Sequence, residues 1–217
     1  MIGVSKTFGG GSIPSSPVYR VLEILKVQDF WHFFVMIIRN LENRRVLIET
    51  ERLYLREMME QDFDELYKVL ADPENMKYYP YSFDEHRVRS WIQRNMDRYR
   101  IFGFGLWVVC LKETGEVIGD CGLTMQIING QIKPEIGYHI RTDKQRKGYA
   151  KEAASAVRDW TFNNTTFNVI YSYMKYTNAP SYKTAMSWGC KQIDEFEDDA
   201  NEVTKVFAIS RAEWTSR

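Results

Sequence analysis

The sequence predicts an α+β fold: a mostly antiparallel central sheet with one parallel β-α-β unit inside it and helices flanking it. Three observations carry that prediction. Two turn signals, Thr114-Gly115 and Asn129-Gly130, separate three runs of β-forming residues, as consecutive antiparallel hairpins require. The strand-like run Glu135-Ile136-Gly137-Tyr138-His139-Ile140 leads into a helical stretch over 149–163, and the β-formers at 169–174 come back after it. A helix between two such strands makes them parallel, with a right-handed crossover. Helical spacing also recurs over 61–70 and 84–100, on the amino side of the hairpins.

Along the chain, residues 1–17 hold Gly9-Gly10-Gly11, Ser12, Pro14, Ser15, Ser16 and Pro17, too little apolar surface to order themselves, so a flexible arm is expected. Residues 18–46 form an apolar helical extension that must cover its surface, on its own domain, on a second subunit as a homodimer, or on a membrane surface. The domain proper spans 47–217. It opens on one alternating strand over 47–57, and Asp72-Pro73 ends the helix over 61–70. Tyr78-Tyr79-Pro80-Tyr81 is an aromatic turn before the second helix. After the parallel unit, 179–188 is helical, and 191–197 with 205–210 forms a closing hairpin.

Composition limits the function. At 217 residues and 44% hydrophobic content, the chain suffices for one substantial core. Its 29 basic and 29 acidic residues leave no overall field to attract nucleic acid or an anionic membrane, so any anion must be bound locally. Cys110, Cys121 and Cys190 form no C-x-x-C pair and suggest neither a disulfide framework nor a zinc site; reduced, buried thiols and a cytoplasmic setting are expected. The longest apolar patch, 30–38, contains His32 and lies between Asp29 and Arg39, about half the length of a membrane-spanning helix.

The local anion site is Gln145-Arg146-Lys147-Gly148-Tyr149-Ala150, between a strand and a helix start. A helix N-terminus offers unpaired N–H groups and the positive end of a dipole, which suit a phosphate. Gly148 lets backbone approach the guest, Ala150 keeps the first turn narrow, and Arg146, Lys147 and Lys151 add cationic side chains. An ordinary strand-to-helix connection with solvated basic residues is the alternative on the loop alone.

The loop resembles the Gln/Arg-x-x-Gly-x-Gly/Ala signature of the GNAT superfamily of N-acetyltransferases. The series Ile48-Glu49-Thr50-Glu51-Arg52-Leu53-Tyr54-Leu55-Arg56, Glu135-Ile136-Gly137-Tyr138, Lys147-Gly148-Tyr149-Ala150-x-Glu152-Ala153, Asn178-x-x-Ser181, Trp188-Gly189 and Ser210-Arg211-Ala212-Glu213-Trp214 is similar to the ribosomal-protein N-terminal alanine acetyltransferase subfamily. The resemblance covers about residues 47–215 and implies the element order βααβββαβαββ. It implies acetyl-coenzyme A as cofactor, with its pyrophosphate on the amides of 146–151, Gln145 leading the motif, and Asn178 and Ser181 at the thioester end. It also places the turn bearing Tyr79 and Tyr81 beside the acceptor pocket, with a packed aromatic loop as the plain alternative.

Acetyl transfer from a thioester to an amine needs a neutral amine and a proton for the departing thiolate, and no nucleophilic side chain. Strand-edge groups near His139, Ile140 and Arg141 suit the amide-rich pantetheine arm. Asn178 is equally the cap of a helix that begins at Ala179-Pro180. Alternation puts Glu135, Gly137 and His139 on one face and Ile136, Tyr138 and Ile140 on the other. Glu135 is the candidate base if burial raises its pKa, against the plain reading of a solvated strand start; His139 is second. The position at which many superfamily members carry the tyrosine acid is Ala185, which leaves Ser181, Tyr182 or a water for that task. Arg146 stands where glycine is frequent, and its amide is expected to remain usable if φ is negative. The expected activity is acetyl transfer to a peptide or small-molecule primary amine; a catalytically silent acyl-CoA-binding or interaction module is the alternative.

Overall fold

The computed structural model describes residues 46–216, so the arm over 1–17 and all of the apolar extension but Val46, with any dimer it makes, lie outside the described residues. The elements are β1 (Val46–Glu49), β2 (Leu53–Arg56), α1 (Phe63–Leu70), α2 (Glu85–Phe102), β3 (Leu106–Leu111), β4 (Val117–Ile128), β5 (Gln131–Ile140), α3 (Tyr149–Asn164), β6 (Val169–Lys175), α4 (Ala179–Ser187), β7 (Lys191–Asp198), β8 (Glu202–Ser210) and α5 (Arg211–Thr215). Eight strands form one mixed sheet in the order β1-β2-β3-β4-β5-β6-β8-β7. Every neighbouring pair is antiparallel except β5 and β6.

Two expectations need correction. The single strand over 47–57 is a hairpin, and Val46 belongs to its first strand. Thr50 closes the turn: its amide donates to the Leu53 carbonyl, and its Oγ1 accepts from the Leu53 amide, both at 2.9 Å. The polar triplet Thr50-Glu51-Arg52 marks this break. At the other end the chain adds α5, started by a capping box in which the Ser210 side chain accepts from the Glu213 amide and Glu213 reaches back to the Ser210 amide. The Ser-x-x-Glu spacing was its signal.

Both faces of the sheet are covered. On β3, Leu106, Val108 and Cys110 pack with α1 and α2 through Leu66, Leu70, Val88 and Ile92, and the alternating Trp107 and Val109 join the opposite cluster. There α3 lays Ala153, Ala154 and Val157 against Ile118, Cys121, Leu123, Ile136 and Ile140. Each fully buried large aliphatic side chain contributes about 1.5–3 kcal/mol. All three cysteines are buried.

Two details position the site. The β4–β5 ladder runs unbroken from Gly119↔Ile140 to Ile128↔Gln131, so Asp120 sits opposite His139. A Cβ on Gly119 would stand 1.9 Å from the His139 carbonyl oxygen, so only glycine permits this approach. The parallel β5–β6 ladder, in contrast, is confined to Glu135↔Tyr171, with Ser172 Oγ donating to the Ile136 carbonyl at 3.3 Å. Beyond it the carboxyl halves of the two strands share no ladder.

Candidate active site

The anion corner has the unpaired amides that a phosphate needs. Gly148 caps α3 at φ 86, and the first intrahelical bond runs from the Glu152 amide to the Gly148 carbonyl at 3.0 Å. The amides of Arg146, Lys147, Gly148, Tyr149, Ala150 and Lys151 have no acceptor among the described residues. Arg146 departs from expectation: its φ is 57, in the left-handed region. With Gly148 it bends the loop into a concave run of N–H groups of the kind that holds anions. A non-glycine residue there costs about 1–2 kcal/mol, strain of the kind that persists at functional sites.

A brace that the sequence did not announce holds this loop. Arg52, in the β1–β2 turn, donates through Nη1 to the Lys147 carbonyl at 3.0 Å and through Nε to Glu152 Oε2 at 2.7 Å. Its guanidinium also lies 4.5 Å over the Tyr149 ring. Thr50 Oγ1 and the Arg52 amide donate to Glu152 Oε1 at 2.6 and 2.9 Å. Burial works to raise the Glu152 pKa, and these hydrogen bonds outweigh it, so the net shift is downward. Arg52 satisfies the Lys147 carbonyl from outside the loop's own backbone.

Other expected cofactor groups are partly engaged. Gln145 Nε2 donates to the Ile140 carbonyl at 2.9 Å and to Asn75 Oδ1 at 2.7 Å, and the Arg141 amide donates to the Ile118 carbonyl at 2.8 Å. The Arg141 guanidinium is held by Asp143 and Glu116. These groups shape the loop, and the open β5 edge is left to the backbone nearer His139. Asn178 caps α4, accepting from the Ser181 amide at 3.2 Å. The Tyr138 hydroxyl donates to the Ser181 carbonyl at 2.8 Å and lies 3.3 Å from Ser181 Oγ, which ties α4 to β5.

The opposite face of β5 carries the titratable groups. Glu135 is 8% exposed, and its Oε2 accepts from Thr124 Oγ1 at 3.1 Å. Its carboxylate covers Gly137, where a Cβ would come within 3.2 Å of it. Burial raises the Glu135 pKa to about 7, against the Thr124 hydrogen bond and His139. His139 Nδ1 lies 2.7 Å from Asp120 Oδ1, so the ring proton sits on Nδ1; Nε2 lies 2.7 Å from the Tyr79 hydroxyl. Trp91 Nε1 donates to Asp120 Oδ2 at 2.9 Å. Burial opposes the imidazolium, the Asp120 charge and hydrogen bond favour it, and the net His139 shift is upward. Burial of the hydroxyl end, then the Glu135 and Asp120 charges, push Tyr79 well above an ordinary phenol, although its ring is 36% exposed. Tyr81 is 44% exposed, its ring 6.0 Å from Tyr79 and 4.5 Å from the Arg87 guanidinium.

The predicted residues therefore form two groups. Gln145 to Lys151 line the corner, with Asn178 and Ser181 on the face of β5 that carries α3 and α4; Glu135, His139 and Tyr79 converge on the α2 face. Asp120 and Trp91 were missed, and Arg52 and Glu152 stood in the quoted motifs without a role. Their side-chain partners lie 19–102 residues away, too far for a local motif.

A family profile described as an acetyltransferase (GNAT) domain matches residues 52–191. A Bacillus licheniformis protein named as an uncharacterised N-acetyltransferase is 36% identical over 167 residues, 74% of this chain and 93% of the relative. An acetyltransferase crystal structure from Agrobacterium tumefaciens superposes with a TM-score of 0.66 at 26% identity, covering 76% of this chain and 94% of that one. A RimL ribosomal L7/L12 α-N-protein acetyltransferase solved with coenzyme A gives 0.64 at 15% identity, covering 76% and 98%. With a profile across most of the domain and a relative this similar over most of the chain, the protein belongs to the GNAT acetyltransferase family.

Proposed function

We propose that the chain is an acetyl-coenzyme-A-dependent N-acetyltransferase that moves acetyl directly to a primary amine, without a covalent enzyme intermediate. The observation that carries this reading is the run of six amides at 146–151 with no acceptor among the described residues, bent around left-handed Arg146 and Gly148. Those amides would hold the pyrophosphate, Lys147 and Lys151 would add charge, and the β5 edge would pair with the pantetheine arm. Acetyl-coenzyme A supplies an acetyl group already activated as a thioester.

The chain's own work is positioning and proton handling. Glu135, poised near 7, takes a proton from the incoming ammonium. Asn178 and Ser181 orient the thioester end, and Tyr79 and Tyr81 form the acceptor wall. The quoted motifs, together with the fold shared with a RimL enzyme, favour a protein or peptide N-terminus as acceptor, with a small amine as the other candidate. Three buried thiols fit a cytoplasmic enzyme.

The test is thiol release from acetyl-coenzyme A with peptides bearing N-terminal alanine or serine and with a set of small amines. Acceptor-dependent release supports the reading. Tight cofactor binding without turnover on any acceptor replaces it with a silent acyl-CoA-binding module.

A further inference from the structure

We infer that the Tyr79 hydroxyl, backed by His139 and Asp120, is the relay that takes a proton from the acceptor nitrogen and returns it to the departing sulfur. The inference rests on the acetyl-transfer reading and supplies the acid which that reading lacks, since Ala185 occupies the usual tyrosine position. The geometry is a continuous chain. Trp91 and His139 hold both oxygens of fully buried Asp120, His139 Nδ1 is thereby fixed as a donor, and Nε2 faces the Tyr79 oxygen at 2.7 Å. Tyr79 ends the chain at the surface, its ring partly exposed.

This arrangement gives the hydroxyl two states. With a neutral imidazole, Tyr79 donates its hydrogen to Nε2 and presents a lone pair to an N–H of the acceptor. With an imidazolium, Nε2 donates to the Tyr79 oxygen, and the phenolic hydrogen is free to be given outward. In the reaction the carbon–nitrogen bond forms and the carbon–sulfur bond breaks, and the proton lost by nitrogen is the one gained by sulfur. A proton entering at Tyr79 moves its own hydrogen onto His139, and the reverse movement delivers it to sulfur, so no other reactant is consumed. Tyr79 never becomes a phenolate, in keeping with its raised pKa.

The groups facing His139 are Asp120 from β4, Glu135 from β5 itself, Tyr79 from the loop before α2, and Trp91 from α2. Both Asp120 and Glu135 favour the imidazolium. The chain is consequently ready to turn over only where His139 is neutral, and the acidic limb of the turnover profile carries the His139 midpoint beside that of Glu135.

The test combines nitrogen NMR titration of the His139 ring with kinetics and calorimetric acetyl-coenzyme A binding for the unaltered chain, Tyr79→Phe and Asp120→Asn. Tyr79→Phe is expected to lower kcat about a hundredfold while leaving the cofactor dissociation constant within twofold. With Glu135→Gln already in place, so that Glu135 no longer titrates, Asp120→Asn should move the ring midpoint and the acidic limb of kcat to lower pH together. A Tyr79→Phe enzyme with kcat within twofold of the parent, or an Asp120→Asn enzyme on the Glu135→Gln background whose ring midpoint moves while its limb stays, overturns the relay and leaves acetyl transfer standing. If the unaltered chain releases no thiol with any acceptor, the relay falls together with the acetyl-transfer reading.

Discussion

The two sides of the β5 strand solve opposite problems. At the anion corner, backbone N–H groups have no acceptor among the described residues and the side chains around them are largely solvated, while Arg52 engages the Lys147 carbonyl. On the α2 face, nearly every polar side-chain atom of Asp120, Glu135, His139 and Tyr79 already has a partner, and what stays adjustable is where the protons sit. The contrast teaches that affinity for an anion is stored in backbone conformation, whereas proton handling is stored in the burial of side chains. Changes at the first should move binding and spare chemistry; changes at the second should do the reverse.

The largest effect is expected from Gly148→Glu. A carboxylate among the amides proposed to hold the pyrophosphate, on a residue at φ 86 whose Cβ would lie 3.3 Å from Arg52, should weaken acetyl-coenzyme A binding about a hundredfold or more, measured by calorimetry. Affinity within threefold of the parent would collapse the distinction between the two faces.

Glu135→Gln should do the opposite, lowering turnover about a hundredfold at and above pH 7, where the carboxylate is ionised, and less below it, with cofactor affinity unchanged. It carries a stability signature as well. A carboxyl whose folded pKa, about 7, lies above its unfolded value of 4.5 binds its proton more tightly when folded. Stability is therefore lost as pH rises through that window, by about 2–3 kcal/mol. The His139 shift is also upward, so its contribution is full below 6.5 and is lost as pH climbs through the folded value. Urea unfolding at pH 5 and pH 8 should show Glu135→Gln gaining on the parent at the higher pH; an equal difference at both would remove the buried ionisation.

Arg52→Lys sharpens the comparison from the corner's side. Lysine keeps the charge but cannot reach the Lys147 carbonyl and Glu152 Oε2 at once, as the guanidinium does. The Arg52 side chain is 43% exposed, so the pair itself adds little stability. The KM for acetyl-coenzyme A should rise about tenfold with kcat little changed; a fall in kcat alone would place Arg52 on the chemical side. The smallest effect belongs to Arg146→Gly. Relief of the left-handed strain, offset by the freer unfolded chain, should yield no more than about 1 kcal/mol in denaturant midpoint measurements.

Legibility followed the same division. The corner could be read from consecutive residues, because Gln145 to Lys151 carry their own conformational preferences and the helix start follows at once. Alternation also assigned Glu135 and His139 to one face, and the unbroken β4–β5 register kept that assignment. The Asp120–His139 contact depends on which residue of β4 lies opposite His139, a matter of hairpin register; the Trp91 contact depends on how α2 packs over the sheet, which no local pattern states. The β1–β2 turn escaped because Thr50-Glu51-Arg52 lacks glycine and proline, its turn being closed by a threonine hydroxyl and held by Glu152 from α3. The positive φ of Arg146 had one indirect signal, the glycine frequent at that position in the resembled family; arginine itself gains nothing from it locally.

The most direct measurement is amide hydrogen exchange across residues 145–152 with and without coenzyme A. The account predicts that the amides of 146–151, fast in the free protein, slow markedly on binding while those of β7 are unchanged. Coenzyme A bound with these six amides exchanging as before would contradict it.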